Sequence, residues 1–430
     1  MRVLRLSQKG AARIDAWMAG RPVGPGRPAG LFAGRLVEAG VAHPVPPPDV
    51  ALPSCVVVIP VRDDPTGLAE TLAALRATVA EVPVTVVDDG STTAASVGTD
   101  DGRPALIRSS TPGGPGAARN RGWRSLAPGA GGDAAEVVVF VDAGCVPEGG
   151  WLRPLLTHFA DPAVAAVAPR IASRPGPSTP PRLAAYEAGH SPLDMGGAAG
   201  PVQPGAAVAY VPTAVLAVRR SALAAAGGFD QSLRFGEDVD LVWRLHQAGW
   251  RIRYEPAARA THPVRPSYRA WAAQRLQYGR SAAPLAARHG PAVAPLAVQP
   301  WSLAAWGLLA TGHPLLAGGL AAGTAEVLGR RAAGDPVVAA VLRRLAATGH
   351  LRAGKSIAMA IRRAWLAPTL AAAALAWRWG TRRTRASLLI TAAAVMAGPP
   401  LALADDLAYQ AGVWHGAWSS RSVAALLPRW

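Results

Sequence analysis

Four acidic clusters in this sequence stand where carboxylates could hold a cation or take up a proton. Pro60-Val61-Arg62-Asp63-Asp64 follows the β-branched run Val56-Val57-Val58-Ile59. Asp88-Asp89-Gly90-Ser91 follows Val84-Thr85-Val86-Val87, and Asp142-Ala143-Gly144-Cys145 follows Val137 to Val141. Ligands of open α/β sheets bind beyond the carboxyl ends of strands. Three strands therefore bring carboxylates to one edge, where like charges repel unless a cation or several hydrogen-bond donors lie between them. Asp-Gly-Ser after a strand is also ordinary turn chemistry. Taken with the other two, it reads as a nucleotide pocket that includes Pro60, Arg62, Asp88, Asp89 and Asp142.

The fourth cluster is Gly236-Glu237-Asp238, at the start of a helix expected from about Asp238 to Ala248, with Leu241, Leu245 and Ala248 on its core face. One carboxylate there serves as a cap and complements the helix dipole. A second, at a helix end behind a glycine, suits a general base. Between these clusters lies Gly113-Gly114-Pro115-Gly116-Ala117-Ala118-Arg119-Asn120-Arg121-Gly122. Its glycines allow close backbone approach, and a helix beginning near Ala117 offers amides to an anion. Arg119 is expected to touch nucleotide or phosphate, its alternative being a surface helix arginine. His262, after the strand Ile252 to Glu255, is either a metal-binding imidazole or a structural histidine.

The elements that must position these groups alternate. Strands at 56–59, 84–87, 137–141 and 164–171 are separated by helices at 66–79 and 151–159, which argues for an α/β domain with a mainly parallel sheet. Ahead of it, Leu6, Ala11, Ile14 and Trp17 have helical spacing behind Ser7 as N-cap, and so do Leu31, Leu36 and Val37. Residues 1–42 thus read as a small helical, winged-helix-like module without the apolar core of a secretory signal. Five prolines between His43 and Pro53 make a stiff linker. The catalytic domain is expected over 54–290.

The last segment, 291–430, is different. From Pro291 to Thr324 no residue carries a fixed charge, and Ala386 to Ala404 is a second uncharged run, close to the ~20 residues that span a bilayer. Arginines flank both, as in loops on the cytoplasmic side of a membrane. The alternative is an alanine-rich soluble helical domain. The formal charge is +17, from 44 basic and 27 acidic residues, with lysine only at Lys9 and Lys355. Because the arginines cluster between apolar runs with no binding motif beside them, the surplus suits an anionic membrane surface and not nucleic acid. Two cysteines, Cys55 and Cys145, exclude a disulfide scaffold.

In this order the pieces resemble the family 2 glycosyltransferases: Val58-Ile59-Pro60, Val87-Asp88-Asp89-Gly90-Ser91, Ala118-Arg119-Asn120-Arg121-Gly122, Asp142-Ala143-Gly144, and Gly236 to Leu245. The resemblance covers roughly residues 54–265 and implies a GT-A fold. It implies that Asp88 and Asp89 meet the uracil and ribose of a UDP-sugar, supported by Arg119. It implies that Asp142 binds a divalent cation, Mg²⁺ or Mn²⁺, held by the diphosphate, and that Asp238 deprotonates the acceptor hydroxyl for an inverting displacement. Gly144 stands where the family has its second metal-motif aspartate, which leaves His262 as the partner some relatives use. In processive relatives a Gln-x-x-Arg-Trp motif holds the acceptor; Trp271, Gln274, Arg275 and Tyr278 form a helix of similar character, with helix packing as the alternative.

Finer phrasing is similar to the mycofactocin-system glycosyltransferases: Leu6-Ser7-x-x-Gly10, Arg35 to Gly40 running to His43-Pro44, Trp151 to Pro162, Val167-Ala168-Pro169-Arg170, Gln277 to Ala282, and the apolar C-terminus. That resemblance implies addition of β-linked glucose to a peptide-derived redox cofactor in actinobacteria. The alternatives are a membrane-associated transferase for a lipid-linked or cell-wall glycan, and a non-catalytic nucleotide-sugar-binding scaffold.

Overall fold

Burial on both faces explains the first strand. Val57, Val58 and Ile59 have no exposed surface, as expected of a strand covered by helices on either side. The structure is a computed structural model that describes residues 6–24, 26–47, 49–98, 104–126, 135–332 and 334–429. Of the segments read above, residues 1–5 of the N-terminal module and Pro25 and Pro48 lie outside the described residues. Contacts divide the chain into two compact units, Met1–Pro266 and Ser267–Trp430.

The first unit is built on a nine-stranded sheet: β1 (Cys55–Val61), β2 (Val84–Asp88), β3 (Ala105–Arg108), β4 (Val137–Val141), β5 (Val146–Pro147), β6 (Val164–Arg174), β7 (Gly200–Pro201), β8 (Val215–Arg219) and β9 (Arg251–Pro263). Its order is β3-β2-β1-β4-β8-β6-β9-β5, with β7 also on β9. β1 is parallel to β2 and β4, β2 to β3, and β6 to β9. β8 runs antiparallel to both β4 and β6. Two reversals restore direction, so β6 and β9 point the same way as β1, β2 and β4. The carboxyl ends of all five therefore reach one edge.

Helix Pro65–Val79 covers one face of β1 through Leu68, Leu72 and Leu75. Helix Pro115–Ser125 covers the other, with Gly122 against Val58 and Val87. Each fully buried aliphatic side chain contributes about 1.5–3 kcal/mol.

The N-terminal helices form where their spacing predicts, Gln8–Met18 and Arg27–Glu38, and Ser7 Oγ accepts from the Gly10 amide at 3.1 Å. No strand lies within residues 6–42 among the described residues, so the winged-helix likeness is not met. The pair docks on the β7/β9 side, where Glu38 accepts from Arg251 Nη2 at 2.6 Å and Gly40 lies against Pro201.

The second unit is helical. It starts at Ser267, ahead of the boundary expected at 290. The reason is helix Tyr268–Arg280, which packs along helix Pro400–Ser419. Gly279 and Gly412 let the two backbones touch: a Cβ at Gly279 would collide with the Tyr409 carbonyl, and one at Gly412 with that of Leu276. Arg275 Nε and Asp405 Oδ2 form a buried ion pair across the same contact at 3.0 Å.

Both long apolar runs are broken. The first divides into helices Pro300–Ala310 and Pro314–Arg330, and the second at Gly398-Pro399 between helices Arg382–Val395 and Pro400–Ser419. Glycine and proline end helices because one lacks a Cβ and the other lacks a donor N–H. No single described helix is long and apolar enough to cross a membrane. The last two pass that test only as a pair bent by 93°.

Candidate active site

The shared sheet edge collects the acidic clusters. The loops after β1, β2 and β4 and the ends of β6 and β9 meet there. Helix Glu237–Gln247 brings its N-terminus to the same place.

At the centre is Arg119, which is 3 % exposed. Its Nη2 donates to Asp142 Oδ1 at 2.7 Å, and its Nη1 donates to Glu237 Oε1 at 2.8 Å. The guanidinium also lies 5.5 Å from the Phe229 ring centroid. Asn120, next in the helix, holds that ring's backbone: its Nδ2 donates to the Phe229 carbonyl at 2.7 Å, and its Oδ1 accepts the Phe229 amide at 2.9 Å. Arg119 is therefore the internal cation that lets two carboxylates approach, not an arm reaching for nucleotide or phosphate. Although burial works against its charge, Asp142 and Glu237 raise its pKa.

Glu237 and Asp238 differ in use. The Glu237 carboxylate is buried against Arg119, whereas Asp238 is half-buried and its Oδ1 accepts only from the Val239 amide at 2.8 Å. Burial raises both carboxyls. For Glu237 the neighbouring Asp238 adds to this and pushes it up to about 7. Asp238 is raised by burial, with Asp142 adding and Arg119 opposing. The two titrate as a pair. Of the two, Asp238 is the more exposed, while Glu237 is held against Arg119. Asp240, further along the helix, is wholly buried and bound to Arg244 Nε at 2.8 Å. The core face of this helix is Leu241 and Leu245, and Ala248 is exposed.

Asp88 and Asp89 do not present free carboxylates. Asp88 has no exposed surface, and its oxygens accept from the amides of Ser91 at 2.8 Å and Ala95 at 3.0 Å. Burial tends to raise this carboxyl, and those amides outweigh it and hold it low. Asp89, 4 % exposed, accepts from the Gly113 and Gly114 amides at 2.9 and 2.7 Å. Both shape the loops at the edge where the nucleotide is expected. The more exposed group is Asp63, part of the first acidic cluster but not among the residues expected to meet the nucleotide. It has φ of 51° and its Oδ1 accepts from the Thr92 amide at 2.7 Å, so it ties the β1 loop to the β2 loop. A non-glycine residue in that region of φ is the kind of strain that gathers at sites. Arg62 beside it is half-exposed, and Pro60 lies within β1, paired with Val87.

The residues that could hold a cation are Asp142 and His262. His262 lies within β9 near its end. Its Nδ1 is 2.9 Å from the Pro263 carbonyl, which can only accept, so Nδ1 carries the proton and Nε2 keeps a free lone pair. Burial lowers its pKa, with Asp142 opposing, so the imidazole is neutral at pH 7. A carboxylate with one oxygen free of Arg119 and a neutral imidazole suit Mn²⁺ or Mg²⁺ once diphosphate oxygens complete the set.

Gly144 cannot be read as a lost ligand alone. Its φ is 88°, its amide donates to Thr71 Oγ1 at 3.0 Å, and a Cβ there would lie 3.2 Å from the Pro263 ring. Gly144→Asp should therefore lower stability by about 1–3 kcal/mol without tightening metal binding. Thermal melts and a Mn²⁺ titration check this, and a gain in affinity would refute it.

Sequence reasoning also missed Arg174, because β6 runs three residues beyond Ile171. Its Nη2 donates to the Gly144 carbonyl at 3.0 Å and pairs with Glu70 at 2.7 Å, while its Nε is buried with no partner. Arg174 and Arg265 both bear electrostatically on His262.

Trp271, Gln274, Arg275 and Tyr278 lie in the helical unit. Trp271 and Arg275 are buried there, Arg275 is held by Asp405, and Gln274 Nε2 donates to Tyr278 Oη at 2.9 Å. These contacts are the ones helix packing makes, the alternative to acceptor binding.

The family model for glycosyl transferase family 2 matches residues 56–221. A pre-mycofactocin glycosyltransferase of Mycobacterium tuberculosis (strain H37Rv) is 40% identical over 425 residues, covering 92% of this chain and 86% of its own. The protein of strain CDC 1551 matches equally. The chain belongs to this glycosyltransferase family. A mannosyltransferase of Pyrobaculum calidifontis, solved with GDP-Man and Mn²⁺, is 18% identical, with a TM-score of 0.50 over 95% of this chain and 99% of its own. That likeness is one of fold, and the mixed, mostly parallel sheet flanked by helices is GT-A.

Proposed function

We propose that this glycosyltransferase moves glucose from UDP-glucose to a hydroxyl of the peptide-derived redox cofactor precursor, pre-mycofactocin, with inversion. The observation that carries the acceptor is the 40% identity to the pre-mycofactocin enzymes over 92% of the chain. The convergence of Asp142, Glu237 and Asp238 on Arg119 supports catalysis over a merely binding scaffold.

In this reading the donor lies over the sheet edge. The Asp63 loop borders the nucleotide, and Arg174 with Arg265 faces the diphosphate. Asp142 and His262 would hold a divalent cation, which supplies positive charge against the leaving diphosphate. Asp238 takes the proton of the acceptor hydroxyl. The acceptor oxygen forms a bond to the anomeric carbon as the bond from that carbon to the diphosphate oxygen breaks. A single displacement inverts the centre, and UDP leaves.

We further propose that the helical unit rests on the cytoplasmic face of the cell membrane. Trp379, Trp418, Leu315 and Ile390 are among its exposed large apolar side chains, beside the arginines of 378–385. This favours location at a membrane, not a lipid acceptor.

The test is mass spectrometry of products formed from a panel of UDP-sugars with the peptide-derived acceptor. A mass gain of one hexose with UDP-glucose, and none with a lipid-linked acceptor, is the expected result. Transfer only to lipid would refute the acceptor, and donor turnover only with another sugar would refute glucose.

A further inference from the structure

A second polar cluster lies on β9 away from the active site. His43 comes from the linker, His158 from the single turn Thr157–Ala160 that precedes β6, and Glu255 from the early part of β9. His262 is seven residues further along the same strand, but a bulge after Glu255 absorbs three of them, so their β6 partners Pro169 and Ser173 are four residues apart, roughly 13 Å.

His43 Nε2 and His158 Nε2 both approach Glu255 Oε2, at 3.2 and 2.9 Å, and the three potential ligand atoms lie within 4.8 Å of one another. The His158 side chain is 2 % exposed, and those of Glu255 and His43 are 14 % and 19 %. Burial raises the Glu255 carboxyl, and the two imidazoles outweigh it and hold it well below the usual range. It is therefore an anion at any ordinary pH. His43 presents Nε2 to this group, while its buried Nδ1 has no partner on the other side of the ring.

We propose that His43, His158 and Glu255 form a zinc site distinct from the active site. Zinc takes His nitrogen at about 2.0–2.1 Å and carboxylate oxygen at about 2.0–2.2 Å, which sets tetrahedral ligand-to-ligand edges near 3.3 Å. The two edges to Glu255, 3.2 and 2.9 Å, need a shift of a few tenths of an ångström, and the His43–His158 edge, within 4.8 Å, would close by at most about 1.5 Å. Two imidazoles and one carboxylate favour zinc over magnesium, and the partial opening at His43 and Glu255 leaves room for water as fourth ligand. The ion would fasten the Pro-rich linker, and with it the N-terminal helices, to the catalytic unit.

The experiment uses the full chain, stripped with EDTA and titrated with ZnCl₂ in excess Mg²⁺, so that the active-site cation is not the one measured. Micromolar or tighter binding of one Zn²⁺ is expected. His43→Ala and Glu255→Gln should each weaken it by at least ~100-fold, and Asp142→Ala should leave it unchanged. Zn²⁺ should slow proteolysis within the linker in the parent protein and not in His43→Ala, a variant whose side chain is partly exposed and whose folding a circular dichroism melt verifies. No zinc uptake by the parent, or uptake equal in His43→Ala, overturns the proposal and leaves a hydrogen-bonded structural triad.

Discussion

Asp238→Asn is expected to lower the transfer rate by ~10²–10⁴-fold, the contribution of a positioned general base, while UDP binding stays within a few-fold. Asparagine keeps the size of the side chain and its acceptor for the Val239 amide, so the helix start survives. What is lost is the capacity to take a proton. The raised Glu237–Asp238 pair also sets the pH profile. While the raised pair is protonated the base is blocked, so kcat/KM should rise with pH and level off once the pair has ionised. The sign for folding is opposite. A carboxyl whose folded pKa is raised above its ordinary 4.5 stabilises the protein most at low pH, and that contribution is lost as pH climbs through about 7. Steady-state rates across pH 5–9 check the first, and thermal melts over the same range check the second. Transfer by Asp238→Asn within a few-fold of the parent would remove Asp238 as the base.

Arg119→Met should be the most damaging change to folding. The side chain is buried, fills the space under Phe229, and neutralises Asp142 and Glu237 together. Removing one partner of a buried charge group costs ~3–5 kcal/mol because the others are left uncompensated. At about 2–4 °C per kcal/mol for a unit of this size, the melting temperature should fall by roughly 10 °C. Arg119→Lys should rescue little, since an ammonium cannot span two carboxylates as the planar fork does. Adding Glu237→Gln to Arg119→Met should recover part of the loss, which a double-mutant cycle measures. An unchanged melting temperature in Arg119→Met would show that the bridge is not what holds these carboxylates together.

The carboxylates of this site arrive by different routes. Asp142 and Asp63 are delivered by strand ends, Asp238 by a helix N-terminus. Three of their neighbours with the same chemistry, Asp88, Asp89 and Asp240, are spent on backbone amides or a nearby arginine. Residue type and position after a strand do not separate the two groups. Exposure does, and exposure is set by loops that cross the edge from elsewhere in the chain.

Element types were legible because they depend on local periodicity. β1, β2 and β4 are runs rich in branched apolar residues, as a strand covered on both faces has, and Ser7 caps its helix through a contact three residues away. The same local information carries the family motifs, so family membership was readable before any fold was seen. The tertiary structure alone decided the rest. It inserted the antiparallel β8, which aligns β6 and β9 with β4 and so brings Arg174 and His262 to Asp142's edge. It turned Arg119 inward between residues 23 and 118 positions away. It drew Tyr268–Arg280 into the helical unit through Asp405, 130 residues beyond Arg275. Each depends on contacts between distant segments, whose pairing is fixed by packing and charge compensation in three dimensions, and neither leaves a period in the sequence.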